Sequence, residues 1–217
     1  MFCIICALEI EYRNTIKFLS VDRRMVLDGQ WEAVWCEQYQ WLVIRCGVGK
    51  NAAARCMGHI ASHYSDIVGV ISAGMAGAVS PMAKIGDIVM GSDVLDYQFG
   101  ASPEEIRCDI PLSIQIPNTC CSQEKILSSS DFLNDGSLKK TLYEKYRPFC
   151  VEMESAGIAR ICNRENIPFA GIKVISDYAD GSALKSILKM EISVTEKLGE
   201  FLSKIHYLKG ADRKIYD

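Results

Sequence analysis

The sequence predicts a three-layer α/β/α fold on a central mixed, largely parallel sheet, with residues 1–217 in one domain. Three observations carry this expectation. Strand-like and helix-like patterns alternate from end to end. The run 67–73 is apolar without alternation, as a strand covered on both faces should be. Hydrophobic residues make up 49% of the chain, enough for a sizeable core, and no repeat or low-complexity linker divides it.

Taken in order, residues 2–7 read as a buried strand and Glu9 to Leu19 as an amphipathic helix. Residues 31–37 and 41–46 are β-rich runs separated by Gln38-Tyr39-Gln40, consistent with a hairpin. Gly47-Val48-Gly49 breaks the pattern before an alanine-rich helix from Lys50 to Tyr64. After the 67–73 strand and the Ser80-Pro81 turn, Ile85 to Met90 reads as another strand. Within 96–149 the pattern is weaker, with β-like pieces around 112–116 and 126–128 and a polar helix from Ser137 to Tyr146. It sharpens again at a strand over 149–153, a helix over 154–165, a strand from Pro168 to Ile175 and a closing helix over 184–207.

Composition narrows the function. A formal net charge of -3, with basic residues scattered, favours neither nucleic acid nor an anionic membrane surface as partner. Asp22-Arg23-Arg24 and Arg213-Lys214 read as solvated surface. The apolar start, Met1 to Leu8, lacks a basic flank and is too short to span a bilayer, so it reads as a first strand rather than a targeting segment. The ten cysteines sit in apolar runs without framework spacing, which suits reduced, buried thiols in a cytoplasmic protein. Cys3 and Cys6 match C-x-x-C by letter, but an offset of three on a strand puts them on opposite faces. His59 and His63 have the spacing of metal ligands on a helix, yet no third ligand accompanies them, and no metal is expected.

In open α/β sheets, ligands bind at the carboxyl edge of the strands. Unusual residues gather at three such ends: Ala7-Leu8-Glu9-Ile10-Glu11, Ser72-Ala73-Gly74-Met75-Ala76-Gly77, and Ser176-Asp177.

These segments resemble the nucleoside phosphorylase/nucleosidase superfamily, most closely its 5′-methylthioadenosine/S-adenosylhomocysteine nucleosidase branch. The matching pieces keep the family order: Ala-Leu-Glu-Ile-Glu at 7–11, Gly-Val-Gly-Lys-Asn-Ala-Ala at 47–53 and Ala-Gly-Met-Ala-Gly-Ala at 73–78. Ile-Gly-Asp-Ile-Val at 85–89, Val-Glu-Met-Glu-Ser-Ala at 151–156 and Ile-Ser-Asp-Tyr-Ala-Asp at 175–180 follow. The resemblance implies hydrolysis of the N-glycosidic bond of a purine nucleoside, without a cofactor, by a homodimer in which a neighbouring subunit helps close the pocket.

That bond breaks through an oxocarbenium-like ribosyl cation, so the purine needs a proton at N7 and water needs a base across the sugar. His59, His63 and His206 lie away from the strand ends, which leaves both proton transfers to carboxylates. The resemblance assigns the acid to Asp177, which read alone is better taken as a helix cap or turn residue. It assigns water to Glu11, although Glu9 suits a first helical turn as well. Met153 and Glu154 match the pair that grips the ribose, where a carboxylate can accept from two hydroxyls. As plain residues they would be a core methionine and a helix start. Phe132 and Leu133 look like the base-binding segment, and Leu8 and Val48 like an apolar wall near the 5′ substituent; core packing accounts for all four equally well. Met75, Ala76, Gly77, Ser176 and Lys173 complete the expected substrate-binding set.

Phosphorolysis would require cationic partners for phosphate. Superfamily phosphorylases carry arginine where this chain has Ser72, and serine or threonine where it has Met75, so water is the expected nucleophile. Met75 also replaces a serine of the nucleosidases, and Lys173 an arginine; both leave the 5′ group open, with futalosine and adenosyl-lipid hydrolases among the relatives to weigh. A non-catalytic nucleoside-binding protein and a true phosphorylase are the alternatives.

Overall fold

Five consecutive buried residues make Phe2–Cys6 a strand, β1, in the middle of a sheet. Its alternating side chains set the layout. Cys3 and Ile5 pack with α2 (Lys50–His63) and α4 (Ser155–Arg164). Phe2, Ile4 and Cys6 pack with α1 (Glu9–Lys17) and α5 (Ile187–Ser203). Because successive strand residues point to opposite faces, the two helix pairs cover opposite sides of the sheet. The structure is a computed structural model and describes residues 1–109, 114–115, 121–180 and 187–207.

The other strands are β2 (Arg23–Leu27), β3 (Trp31–Cys36), β4 (Trp41–Arg45), β5 (Gly69–Ala78), β6 (Ile88–Tyr97) and β7 (Glu104–Arg107). They are followed by β8 (Ile114–Gln115), β9 (Cys121–Ser129), β10 (Cys150–Glu152), β11 (Phe169–Asp177) and β12 (His206–Tyr207), with α3 (Gly136–Tyr146) after β9. Among the described residues, ten strands form one mixed sheet in the order β10-β9-β6-β11-β5-β1-β4-β3-β2, with β7 on β6. Its centre, β4-β1-β5-β11, is parallel. The β2–β3–β4 meander and the β11–β6 pair are antiparallel. β10 also pairs with β5, Val151 opposite Gly77, so the sheet curls back on itself and gathers the ends of β5, β10 and β11.

Several boundaries differ from the sequence expectation, each for a physical reason. Arg23 and Arg24 are exposed, but they belong to edge strand β2, whose outer side faces solvent. Its turn is Asp28-Gly29, both at positive φ, with the Gln30 N–H donating to the Leu27 carbonyl at 3.0 Å. β5 runs through the glycine motif to Ala78 instead of stopping at Ala73. β6 occupies 88–97 rather than 85–90, and β7, which falls in the weakly patterned 96–149 stretch, pairs with it. β9 is longer than the 126–128 piece, and the closing helix ends at Ser203, with 206–207 in a short strand against β8. Residues 112–113, 116, 184–186 and the Arg213-Lys214 pair lie outside the described residues.

Among the described residues eight cysteines are seen to be free, seven of them buried; burial pushes the Cys3 and Cys6 thiols up to about 12. His59 and His63 stack at 4.0 Å, and no group of side chains that could hold a metal ion occurs among the described residues. Among them, too, no helix is long and apolar enough to cross a membrane.

Candidate active site

β5 and β11 run parallel until a bulge at Ser176 shifts their register, so that Asp177 rather than Ser176 faces Gly77. An extra residue of this kind re-aims the next side chain. Asp177 thereby enters a cavity of about 200 Å³ at the carboxyl edge of the sheet. Its Oδ1 accepts from the Ala179 N–H at 2.8 Å, a turn favoured by the left-handed backbone of Ala179, φ 49. Its Oδ2 lies 2.8 Å from Ser176 Oγ. Asp177 is therefore both a turn residue and a wall of the cavity. A methyl group at Gly77 would stand 2.9 Å from Asp177 Oδ1 and 2.9 Å from Ala179 Cβ, so only glycine allows this approach.

Glu11 lies in the same cavity and is buried. Its Oε2 accepts from the N–H groups of Ala7 at 3.0 Å and Leu8 at 2.8 Å, and its Oε1 from Met75 at 2.7 Å. Three backbone donors hold it, and a carboxylate has about four acceptor positions, so one remains for another hydrogen-bond donor. Burial raises its pKa, against the pull of these hydrogen bonds and of Lys173. Residue 75 serves Glu11 through its backbone N–H, which any side chain permits. Gly74 is required beside it, because a Cβ there would come within 2.7 Å of Glu11 Oε1. Glu9, the competing acid, is partly exposed and pairs with Arg13 and, at 3.1 Å, with Arg45.

The third carboxylate is Glu154, at the start of α4, whose Oε1 accepts from the Gly49 N–H at 2.7 Å. Gly49 sits at φ 95, a backbone setting that explains the glycine at the end of Gly47-Val48-Gly49. Burial and the neighbouring negative charge of Glu152 push the Glu154 carboxyl up to about 7.

Met153, Ala76, Leu8, Val48, Phe132 and Leu133 complete the wall, with Met75 and Ser176. Leu133 is buried, whereas Phe132, Val48 and Leu8 are exposed at the mouth. Lys173 is the exception among the expected substrate-binding residues: it does not line the cavity. Fully buried, its ammonium is held in an ion pair with Glu152 at 2.9 Å. Sequence reasoning passed over Glu152 and Asp131, which do line the cavity. Glu152 was visible as half of the Glu-Met-Glu pattern; Asp131 carries no signal beyond its place before Phe132.

The family model for the phosphorylase superfamily matches residues 2–206. This chain belongs to that superfamily. Among relatives, it is 30% identical over 206 residues to a 5′-methylthioadenosine/S-adenosylhomocysteine nucleosidase of Baumannia cicadellinicola, covering 81% of this chain and 87% of that one. It is 24% identical over 197 residues to a nucleosidase of the same description from Halalkalibacterium halodurans, covering 81% and 83%. Solved structures match in fold as well. A Helicobacter pylori 5′-methylthioadenosine/S-adenosylhomocysteine nucleosidase, crystallised with butyl-thio-DADMe-Immucillin-A, superposes with TM-score 0.80 at 18% identity, covering 93% of this chain and 95% of that one. The futalosine hydrolase of Helicobacter pylori gives TM-score 0.80 at 18% identity, covering 93% and 94%. At such identities the likeness is one of fold.

Proposed function

We propose that this chain is an N-glycosyl hydrolase that releases the free base from a purine nucleoside of the methylthioadenosine/S-adenosylhomocysteine class. One observation carries the reading. Five carboxylates line the cavity, Glu11, Asp131, Glu152, Glu154 and Asp177, and no lysine or arginine does among the described residues. Such a wall favours a ribosyl cation as the bond breaks and disfavours a phosphate dianion.

In this reading Asp177 protonates N7 of the departing purine, its carboxyl oriented by Ser176 and the Ala179 amide. Glu11 uses its open acceptor position to orient water and take its proton on the opposite side of the sugar. Glu154 accepts from the ribose hydroxyls, Met153 packs on the sugar, and Phe132 stacks on the base. Leu8 and Val48 face the 5′ group, where an apolar wall suits an alkylthio substituent. Leu8, Val48, Phe132 and Tyr178 are exposed apolar side chains; the first three stand at the cavity mouth, and a second copy of the chain would cover them in a homodimer. The free, buried thiols suit a cytoplasmic setting.

The test is base release from methylthioadenosine, S-adenosylhomocysteine and adenosine, with and without inorganic phosphate. Equal release in both buffers, with free sugar as product, is expected. Strict dependence on phosphate would make the chain a phosphorylase, and no release from any purine nucleoside would make it a binding protein.

A pH profile follows from Glu154. The ionised carboxylate accepts two hydroxyl hydrogen bonds, and the neutral acid accepts fewer. With the Glu154 pKa raised to about 7, the ionised fraction falls as pH drops through that value. KM for a nucleoside with both hydroxyls should therefore rise on the acid side, by about tenfold per pH unit at the limit. Steady-state kinetics between pH 5.5 and 8.5, about the range where His-like groups titrate, checks it; a flat KM would remove Glu154 from sugar binding.

A further inference from the structure

The proposed reaction gives Lys173 no contact with substrate, yet it is the one buried lysine or arginine among the described residues. An ammonium deep in the protein keeps its charge only where partners offset the loss of water. Here burial opposes the charge, and Glu152, Glu154 and Glu11 outweigh burial, holding Lys173 above the ordinary lysine range. The direct partners are Glu152 Oε2 at 2.9 Å and Ser72 Oγ, to which the ammonium donates at 2.9 Å.

Glu152 does more than balance that charge. Its carboxylate accepts from the Glu154 N–H at 3.1 Å and from the Ser155 N–H at 2.9 Å and 3.1 Å, and Ser155 Oγ lies 3.0 Å away. It thus gathers the first amides of α4 onto itself and fixes the bend between β10 and α4, as a carboxylate at a helix N-terminus does. Met153 and Glu154 sit on that bend. Lys173 stands four residues before Asp177 on β11, so the ion pair ties the strand that carries the acid to the bend that carries the sugar carboxylate.

We propose that Lys173 is a positioning residue for sugar recognition: paired with Glu152, it fixes the Met153–Glu154 bend, and with it the carboxylate that takes the ribose hydroxyls, without touching the nucleoside. This rests on the reading of Glu154 as the ribose-binding group. The positive charge matters because Glu152, left alone in a dry site, would take up a proton or pull away from the amides it holds. Lysine in place of a larger cation suits the geometry, since a compact ammonium reaches Glu152 and Ser72 together.

The experiment compares Lys173→Met, Glu152→Gln and the double variant, each with a purine ribonucleoside and its 2′-deoxy counterpart. Lys173→Met is expected to raise KM for the ribonucleoside about tenfold or more, with kcat within about threefold. KM for the deoxynucleoside, which keeps only one of the two hydroxyls that Glu154 accepts from, should rise by a clearly smaller factor, so the preference for the 2′-hydroxyl shrinks. In the double variant the buried charge without a partner is gone, and a neutral glutamine still accepts from the Ser155 amide. Its ribonucleoside KM should fall back at least partway from the Lys173→Met value. The double variant also serves if Lys173→Met fails to fold. Equal damage to both nucleosides, a loss confined to kcat, or a double variant no better than the sum of the two single changes would overturn the proposal. If the unmodified protein releases no base, the hydrolase reading alone falls, and calorimetric Kd values for the same two nucleosides still decide the tie: a ribonucleoside-specific weakening in Lys173→Met supports it, unchanged Kd values overturn it.

Discussion

Asp177→Asn is expected to lower kcat for base release by about 10²- to 10⁴-fold, the usual contribution of a positioned general acid. Stability should hardly change, and the hydrogen bonds say why. Asparagine keeps an oxygen to accept from the Ala179 N–H, and its amide nitrogen can donate to Ser176 Oγ, which lies 3.3 Å from the Ala76 carbonyl and can turn its own hydrogen there. No buried donor is left without a partner, so the cost stays below about 1 kcal/mol. The variant therefore separates chemistry from folding. Thermal melting alongside a base-release assay checks both halves, and near-normal turnover would remove Asp177 from the mechanism.

Glu11→Gln is expected to lose turnover on a similar scale, about 10²- to 10⁴-fold, and in addition to lose stability. Both Glu11 oxygens accept from backbone N–H groups: Ala7 and Leu8 on one, Met75 on the other. Glutamine has a single oxygen. Placed toward Ala7 and Leu8, it sets its NH2 group against the Met75 N–H; reversed, it confronts two donors. A buried donor left unpaired costs about 1–3 kcal/mol. The two variants thus share a kinetic defect and differ in denaturant midpoint, a contrast that a general loss of folding in both would not produce. A Glu11→Gln protein with wild-type turnover would mean that another group handles the water.

Much of this site was legible before any coordinates. Glu11, Met75 to Gly77, Ser176 and Asp177 reach one cavity because the parallel strands β1, β5 and β11 bring their carboxyl ends to one edge, and Met153 and Glu154 join them from β10, which runs antiparallel to β5. Lys173 stands outside the cavity wall for a related reason. On a strand, polarity near a site suggests contact with ligand, but the pairing of β10 with β5 places Glu152 where it captures the ammonium first. That pairing is a long-range closure, with no local signature in Cys150 to Glu152. The choice between Glu9 and Glu11 likewise needed the fold, since Arg45, which draws Glu9 outward, is distant in sequence.

The fold shows the same division. β1 and the central strands declare themselves by continuous apolar runs. β2 does not, because an edge strand shows solvent a charged face, although Asp28-Gly29 was a hairpin signal available to be read. β5 was cut short at Ala73 because glycines argue against a strand. Gly74 and Gly77 stay in it because Glu11 and Asp177 occupy the space a side chain would need.

The proposed reaction requires Glu11 and Asp177 to face one sugar from opposite sides. A crystal structure with a purine-like C-nucleoside that keeps a nitrogen at the N7 position, and whose carbon–carbon link resists cleavage, tests that arrangement most directly. The predicted result has N7 within hydrogen-bond reach of Asp177, the ribose hydroxyls on Glu154, and an ordered water on Glu11 beneath the anomeric carbon. A nucleoside bound outside this cavity, or with its base against Glu11 and its sugar out of reach of Glu154, would contradict it.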